Sequence, residues 1–261
     1  MENKKHITIC ACASRSFIDK EKVAVIAASL RKKGYPVSVE PDLCKKVIQK
    51  SSDMEEIASG IILACYPRAI RAHLDWLNLK TNKSLDIRNT SVEDILGEFQ
   101  ISFTEEADCA AGKGDGSASE GDTATHTYMH AADIAMEKNA IFAEIKAFPV
   151  EEGTDAWNPV LDKEKCTECG KCHDFCLFGV YTIENKKVRV AQPQKCKNNC
   201  PACARMCPGK AIIFPKYEKS PINGGMSQEE TFDPEEMDKM YRERLRMRLQ
   251  QRRANVSLLK K

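Results

Sequence analysis

The sequence predicts a two-part chain: an α/β unit with a small parallel sheet over residues 1–103, and a smaller cysteine-rich unit over 153–226. Three observations carry that prediction. Short apolar runs alternate with helical periodicity in the N-terminal part, composition breaks sharply over 104–127, and eight cysteines fall into two similar quartets between Cys166 and Cys207.

Each element follows in order. His6-Ile7-Thr8-Ile9 reads as a first strand. Asp19 is placed to cap a helix whose Val23, Ile26, Ala27 and Leu30 recur at helical spacing, and Gly34 suits the position just past its end. Pro36–Val39 reads as a second strand. Gly60–Ala64 is a third, its continuous apolar run being that of a buried strand. Pro67 opens another helix through Ile70, Leu74 and Leu77. Strands alternating with helices argue for a parallel sheet.

Residues 104–127 are mostly Gly, Ser, Ala, Thr and acidic side chains with little to bury, so a flexible linker is expected. A connecting helix, about Met129 to Phe148 and closed by Pro149, is expected within 128–152. The cysteine-rich unit begins near Trp157-Asn158-Pro159. Val180–Ile183 and Val188–Val190 flank Glu184-Asn185-Lys186-Lys187 as a hairpin, and the unit repeats internally: GVYTI follows the first quartet, KAIIF the second. A tail over 227–261 follows, with Asp233 as cap and Pro234 opening a basic amphipathic helix. Its Met237, Met240, Tyr241, Leu245 and Leu249 favour docking along a protein partner. Packing on its own domain, or binding nucleic acid or a membrane surface through its arginines, are the alternatives.

Composition narrows the function. The 40 basic and 38 acidic residues nearly cancel, so no whole-chain field points to nucleic acid or membrane. No apolar stretch approaches the roughly 18 residues of a spanning helix. The chain opens MENKKHITIC, without an apolar export signal, so its 13 cysteines are expected in a reducing cytoplasm, held for metal and not for cross-linking.

The quartets specify the metal. CTECGKCHDFC is a C-x2-C-x2-C-x3-C run through Cys166, Cys169, Cys172 and Cys176. CKNNCPACARMCP carries Cys196, Cys200, Cys203 and Cys207, closed by Pro208 and with one extra residue in its first gap (Lys197, Asn198, Asn199). Structural zinc favours paired CxxC units with a longer spacer and often histidine, whereas each run here packs four thiols closely. Both runs and their order resemble the bacterial ferredoxin with two [4Fe–4S] clusters, an α+β fold. In that family the fourth cysteine of each run ligates the other cluster. The resemblance therefore implies one cluster on Cys166, Cys169, Cys172 and Cys207, and another on Cys196, Cys200, Cys203 and Cys176.

Four further cysteines lie in the α/β unit. Cys10 and Cys12 end the first strand, Cys44 follows the second and Cys65 ends the third. Ligand sites in open parallel sheets lie beyond the carboxyl ends of the strands, so the four thiols are placed to converge. They suit a tetrahedral metal or a cubane; as free thiols they would be small core hydrophobes. ICAC, IDKEKV, the cysteine after strand two and ACYPR resemble the N-terminal domain of the heterodisulfide reductase A family over residues 1–80, with Ala13 where that family usually carries Gly. That resemblance implies a third [4Fe–4S] cluster on Cys10, Cys12, Cys44 and Cys65. In that family a flavin-binding module with a G-x-G-x-x-G fingerprint follows. Here the glycine-rich stretch AGKGDGSASEG has no strand before it, so neither a flavin nor an NAD site is expected.

Cys109 is left over within the linker, and His173 reads as a loop residue. Lys163, Lys165, Lys171, Lys195 and Lys197 cluster around the cysteine loops, either as a solvated face or as a surface that steers an acidic redox partner. No catalytic constellation is present, so no catalytic residue is assigned. The resemblances together imply an electron-transfer protein relaying single electrons to or from a partner flavoprotein or other oxidoreductase. Two alternatives stay open: an enzyme subunit whose N-terminal cluster contacts a disulfide or thiol substrate, and a redox-sensing nucleic-acid-binding protein.

Overall fold

Four short strands, β1 (Ile7–Cys10), β2 (Val37–Glu40), β3 (Ile61–Ala64) and β4 (Lys83–Asp86), form one parallel sheet in the order β2-β1-β3-β4. The structure, a computed structural model, describes residues 4–81, 83–104, 127–149 and 156–225, with Arg242 and Arg246. Cys109, the interior of the expected linker and the tail other than those two arginines lie outside the described residues.

In register, Ile7 stands between Val37 and Ile61, and Ile61 pairs on its other side with Lys83. Every residue of β1 is buried, as a central strand flanked on both faces requires. The edge strand β4 (KSLD) has no apolar run to announce it, and the sequence does not predict it.

The helices follow from their caps. Helix α1 (Lys20–Lys32) begins where the Asp19 carboxylate accepts the Glu21 N–H at 2.9 Å, and it buries Val23, Ile26, Ala27 and Leu30 completely. It stops at Gly34, whose φ of +84° is the left-handed closure expected there. Helix α2 (Leu43–Gln49) is capped by Asp42, and α3 (Met54–Ser59) precedes β3. Helix α4 (Pro67–Trp76) starts with proline at its first turn, as predicted.

Beyond the sheet come α5 (Val92–Gly97), β5 (Ile101–Thr104), β6 (Thr127–His130) and α6 (Ala131–Lys146). Thr104 and Thr127, expected at the two ends of a linker, are strand residues, because β5 and β6 pair in parallel from Ile101↔Thr127 to Thr104↔His130. The helix expected to connect the two units instead packs one edge against the core of the first. Its Ile134, Ile141 and Ile145 are buried in the same cluster as Ile26 and Leu30, so the N-terminal unit extends past residue 103.

The cysteine-rich half contains β7 (Val160–Leu161), α7 (Lys171–Phe175), β8 (Tyr181–Glu184), β9 (Lys187–Val190), a 3-10 turn (Pro193–Lys195), α8 (Ala202–Met206) and β10 (Ile212–Ile213). Strands β8 and β9 form the predicted hairpin around a tighter turn, since Asn185 and Lys186 both take positive φ (+51° and +63°). Strand β10 pairs antiparallel with β7, so the strand after each cysteine run has its own partner.

The two halves meet along α4. Arg68 Nε sits 2.6 Å from Asp162 Oδ2, with the side chains 10% and 3% exposed. The same guanidinium donates to the Lys210 carbonyl, and the Trp76 indole N–H donates to Val190 O at 2.8 Å. Ala69 and Ala72 pack with Val160 and Ile213 in a small shared core. Among the described residues, no helix is long and apolar enough to cross a membrane.

Candidate metal centres

The cysteine runs fold into loops that hand their last residue across. In the first, Glu168 and Gly170 take positive φ (+54° and +73°), curling Cys166, Cys169 and Cys172 round one hollow. Helix α7 starts beside Cys172 and ends at Cys176, one short helix away on the other side. Helix α8 does the same between Cys203 and Cys207.

Two pockets result. One is lined by Cys166, Cys169, Cys172 and Cys207 with Leu161, Val188 and Ile212. The other, a cavity of about 420 Å³, is lined by Cys176, Cys196, Cys200 and Cys203 with Phe175, Val180 and Tyr181 among its walls. Each pocket thus gathers three thiols from one run and the fourth from the other, the crossed grouping implied by the sequence resemblance.

The walls tune these sulfurs. The Tyr181 hydroxyl donates to Cys203 Sγ at 3.0 Å, and the Ala211 N–H to Cys207 Sγ at 3.3 Å. Burial pushes Cys172, Cys196 and Cys203 up to about 12, so without metal they are neutral thiols. Metal binding as thiolate must therefore release protons.

An all-sulfur donor set in an apolar pocket, with O–H and N–H donors aimed at sulfur, fits an iron–sulfur cluster. All twelve described cysteines are free thiols. Among the described residues, no three Cys, His, Asp or Glu side chains close round one point as ligands of a single ion. A cubane asks for a wider cage, since each thiolate binds a different iron.

The N-terminal thiols also come together. Cys10 ends β1, Cys12 follows it at φ +48°, Cys44 lies in the first turn of α2 and Cys65 stands between β3 and α4. After burial, the influences on Cys10 and Cys65 include the Cys12 thiol, and those on Cys44 include Cys65 and Cys10, so the four lie near one another. Burial drives Cys10 and Cys44 upward and takes Cys65 to about 12. The Leu43 N–H donates to Cys10 Sγ at 3.5 Å.

Several residues at these sites carry no sequence signal. Lys216, in the loop after β10, is 2% exposed. Its ammonium bonds the Asp42 carboxylate and the Ser14 hydroxyl and lies 3.8 Å from Cys12 Sγ. Burial alone would drive its proton off; Cys44, Cys12 and Asp42 outweigh that and hold the ammonium well above its ordinary range. His73 on α4 is buried with neither ring nitrogen bonded, and burial lowers it to about 4, so it is neutral. His173, by contrast, is exposed and bonds Asp174 at 3.0 Å; expected in a loop, it lies within helix α7. Lys163, Lys165, Lys171, Lys195 and Lys197 are all exposed around the cysteine loops.

Duplicated cysteine loops, short helices and strands around two crossed all-cysteine pockets fit an iron–sulfur protein. Comparison with known proteins agrees. A stretch of 67 residues is 49% identical to an uncharacterized ferredoxin of Methanocaldococcus jannaschii, covering 25% of this chain and 45% of that protein. Another uncharacterized ferredoxin of the same organism is 40% identical over 58 residues, 21% of this chain and 74% of the relative. The pyruvate synthase component PorD of that organism is 34% identical over 74 residues, 27% of this chain and 84% of PorD. The chain belongs to the ferredoxin family through this segment. It spans less than half the length of the first of these relatives. No protein-family model matches the chain.

Proposed function

We propose that the chain relays single electrons along three [4Fe–4S] stations to or from a partner flavoprotein or other oxidoreductase. Cys166, Cys169, Cys172 and Cys207 hold one cluster, Cys176, Cys196, Cys200 and Cys203 the second, and Cys10, Cys12, Cys44 and Cys65 the third. The observation that supports this reading is the crossed lining of the two pockets, which is the grouping two clusters with exchanged fourth ligands would need. The third site rests on the convergence of four thiols beyond the sheet's carboxyl edge and on the likeness to the heterodisulfide reductase A family.

The protein's part is to hold and tune. Thiolates fix each cluster, Tyr181 and backbone N–H groups donate to sulfur, and apolar walls limit water. Bound there, a cubane accepts and returns one electron at a time. A hydride carries two, so something outside these sites must split the pair, and a flavin does this. That one relative is named as a subunit of pyruvate synthase supports a partner oxidoreductase. The exposed lysines round the cysteine loops suit an acidic docking surface on that partner, and the Met- and Leu-bearing tail is a second point of attachment.

Anaerobically purified protein should carry on the order of twelve irons and twelve sulfides per chain. A value near eight that does not rise on reconstitution removes the third cluster and leaves the ferredoxin reading standing. Dithionite should bleach the protein and NADH alone should not. Rapid NADH-dependent bleaching of the flavin-free chain overturns the carrier reading.

A further inference from the structure

We infer that the N-terminal thiol site is completed by the ferredoxin half: Lys216 is the positioning residue that offsets its thiolate charge, and the extra residue of the second cysteine run helps clamp Lys216 in place. This rests on the reading of Cys10, Cys12, Cys44 and Cys65 as cluster ligands.

A lysine buried to 2% exposure needs a reason, since desolvating an ammonium is costly unless it is paired and bonded. Its hydrogen-bond partners belong to the other half of the molecule: Asp42, which caps α2 two residues before Cys44, and Ser14, two residues past Cys12. The Lys216–Asp42 pair is neutral in itself. Four thiolates would make the crevice strongly negative, and Lys216 is the cation found within 3.8 Å of one of the sulfurs. Arg88 also acts on Cys12 and Cys65, but its guanidinium is spread over the Phe17 and Tyr66 rings at 4.4 and 5.4 Å.

The clamp lies alongside. Arg15, three residues past Cys12, donates from Nη2 to Asn199 Oδ1 at 2.6 Å, and its guanidinium stands 5.6 Å over the Trp157 ring. Trp157 stacks on Phe214 at 5.1 Å, two residues before Lys216. Asn199 belongs to the gap that is one residue longer than its counterpart in the first run, and it takes a positive φ of +58° that turns the loop just before Cys200. The departure from regular ferredoxin spacing therefore sits where the loop touches the N-terminal half. The same contact ties the loop of the second cysteine run to the segment that follows Cys12.

The sign of the effect follows from charge. Reduction adds an electron to an already negative site, so a nearby ammonium favours the reduced form and its removal lowers the potential. The test compares full-length wild type with Lys216→Gln, Lys216→Arg and a chain lacking Asn199. All are loaded with iron and sulfide anaerobically, assayed for iron, and titrated redox-wise with electron paramagnetic resonance as the readout. Lys216→Gln should keep wild-type iron and move one cluster of three to more negative potential by a factor of ten or more in its reduction equilibrium, about 59 mV for a one-electron couple. Lys216→Arg should recover most of that shift, and loss of Asn199 should move the same cluster the same way by less. Full iron with all potentials unmoved in Lys216→Gln overturns the inference, as does a shift confined to the two ferredoxin clusters. If Lys216→Gln loses iron, the Asn199 deletion decides: an unmoved N-terminal potential there overturns it. Wild type holding only about eight irons would instead overturn the underlying reading of the third site, a result visible before any variant is made.

Discussion

Replacing Arg68 with methionine should loosen the contact between the two halves more than any other single change along α4. The guanidinium and the Asp162 carboxylate meet at 2.6 Å with side chains 10% and 3% exposed. With charge centres about 4 Å apart and an effective dielectric of about 20, their attraction is about 4 kcal/mol. Truncating one member of such a buried pair typically costs about 3–5 kcal/mol, because the other charge is left desolvated. Asp162 would keep only the Glu164 N–H at 3.1 Å, and the Lys210 carbonyl would lose its donor.

The pH dependence has a definite sign. Burial alone would raise the Asp162 carboxyl, but the Arg68 hydrogen bond and charge outweigh it and hold the group below its ordinary value. A carboxyl depressed in the folded state contributes stability above its unfolded pKa, near 4, and loses it as pH falls through the folded value. In Arg68→Met the buried carboxyl is raised instead, so the deficit should widen between about pH 4 and 7 and shrink in acid. Cluster loss makes global unfolding irreversible, so the assay is native-state hydrogen exchange of the amides in 67–76 and 160–164. A cost of about 3–5 kcal/mol means exchange faster by roughly two to nearly four powers of ten. Arg68→Met/Asp162→Leu, which removes both charges, should recover most of the protection. An acceleration under tenfold, or a double variant no better than the single, would refute the assignment of Arg68 as the inter-half brace.

Other consequences are equally open to measurement. Cys44→Ser should lower bound iron by about four per chain while leaving the signals of the other two clusters in place; an unchanged iron count would break the convergence argument for the N-terminal crevice. Tyr181→Phe removes the hydroxyl 3.0 Å from Cys203 Sγ and should move one ferredoxin cluster to more negative potential at full iron, with a stability loss of about 1 kcal/mol. Gly209→Ala places a Cβ 2.4 Å from the Lys165 carbonyl oxygen, a backbone clash that should cost about 1–3 kcal/mol and show as bleaching at lower temperature. A protease site built into 108–125 should, once cut, yield two pieces that co-elute on gel filtration, since β5 pairs with β6 and Ile134, Ile141 and Ile145 stay in the first core.

What the sequence reveals follows the strength of its local signals. Cysteine spacing is a short-range code, so both cysteine loops are legible without coordinates, and the ferredoxin resemblance adds the crossed grouping that the pocket linings match. The same holds for α1 and α4, where Asp19, Gly34 and Pro67 announce the ends. Strand β4 escapes because an edge strand of KSLD has no buried face to pattern. The role of α6 is hidden because three isoleucines separated by seven and four residues do not say which neighbour they face. Lys216 is invisible for a deeper reason. Its significance lies in Asp42, Ser14 and Cys12, all more than 170 residues away, and a lysine in the run IIFPKYEKS looks like any surface cation.

The crossed fourth cysteines have a topological consequence. With the ligands proposed above, a tie from Cys207 to the loop of Cys166, and another from Cys176 to the loop of Cys196, would be closures that span the hairpin between them and join the two repeats. Clips that join distant points remove more freedom from the unfolded chain than clips within one loop. Neither repeat could then be cut out and keep a complete set of ligands, so loss of metal from one pocket would free a strap of the other. Assembly and oxidative damage in this half should therefore proceed as paired events, with few molecules caught holding a single cluster.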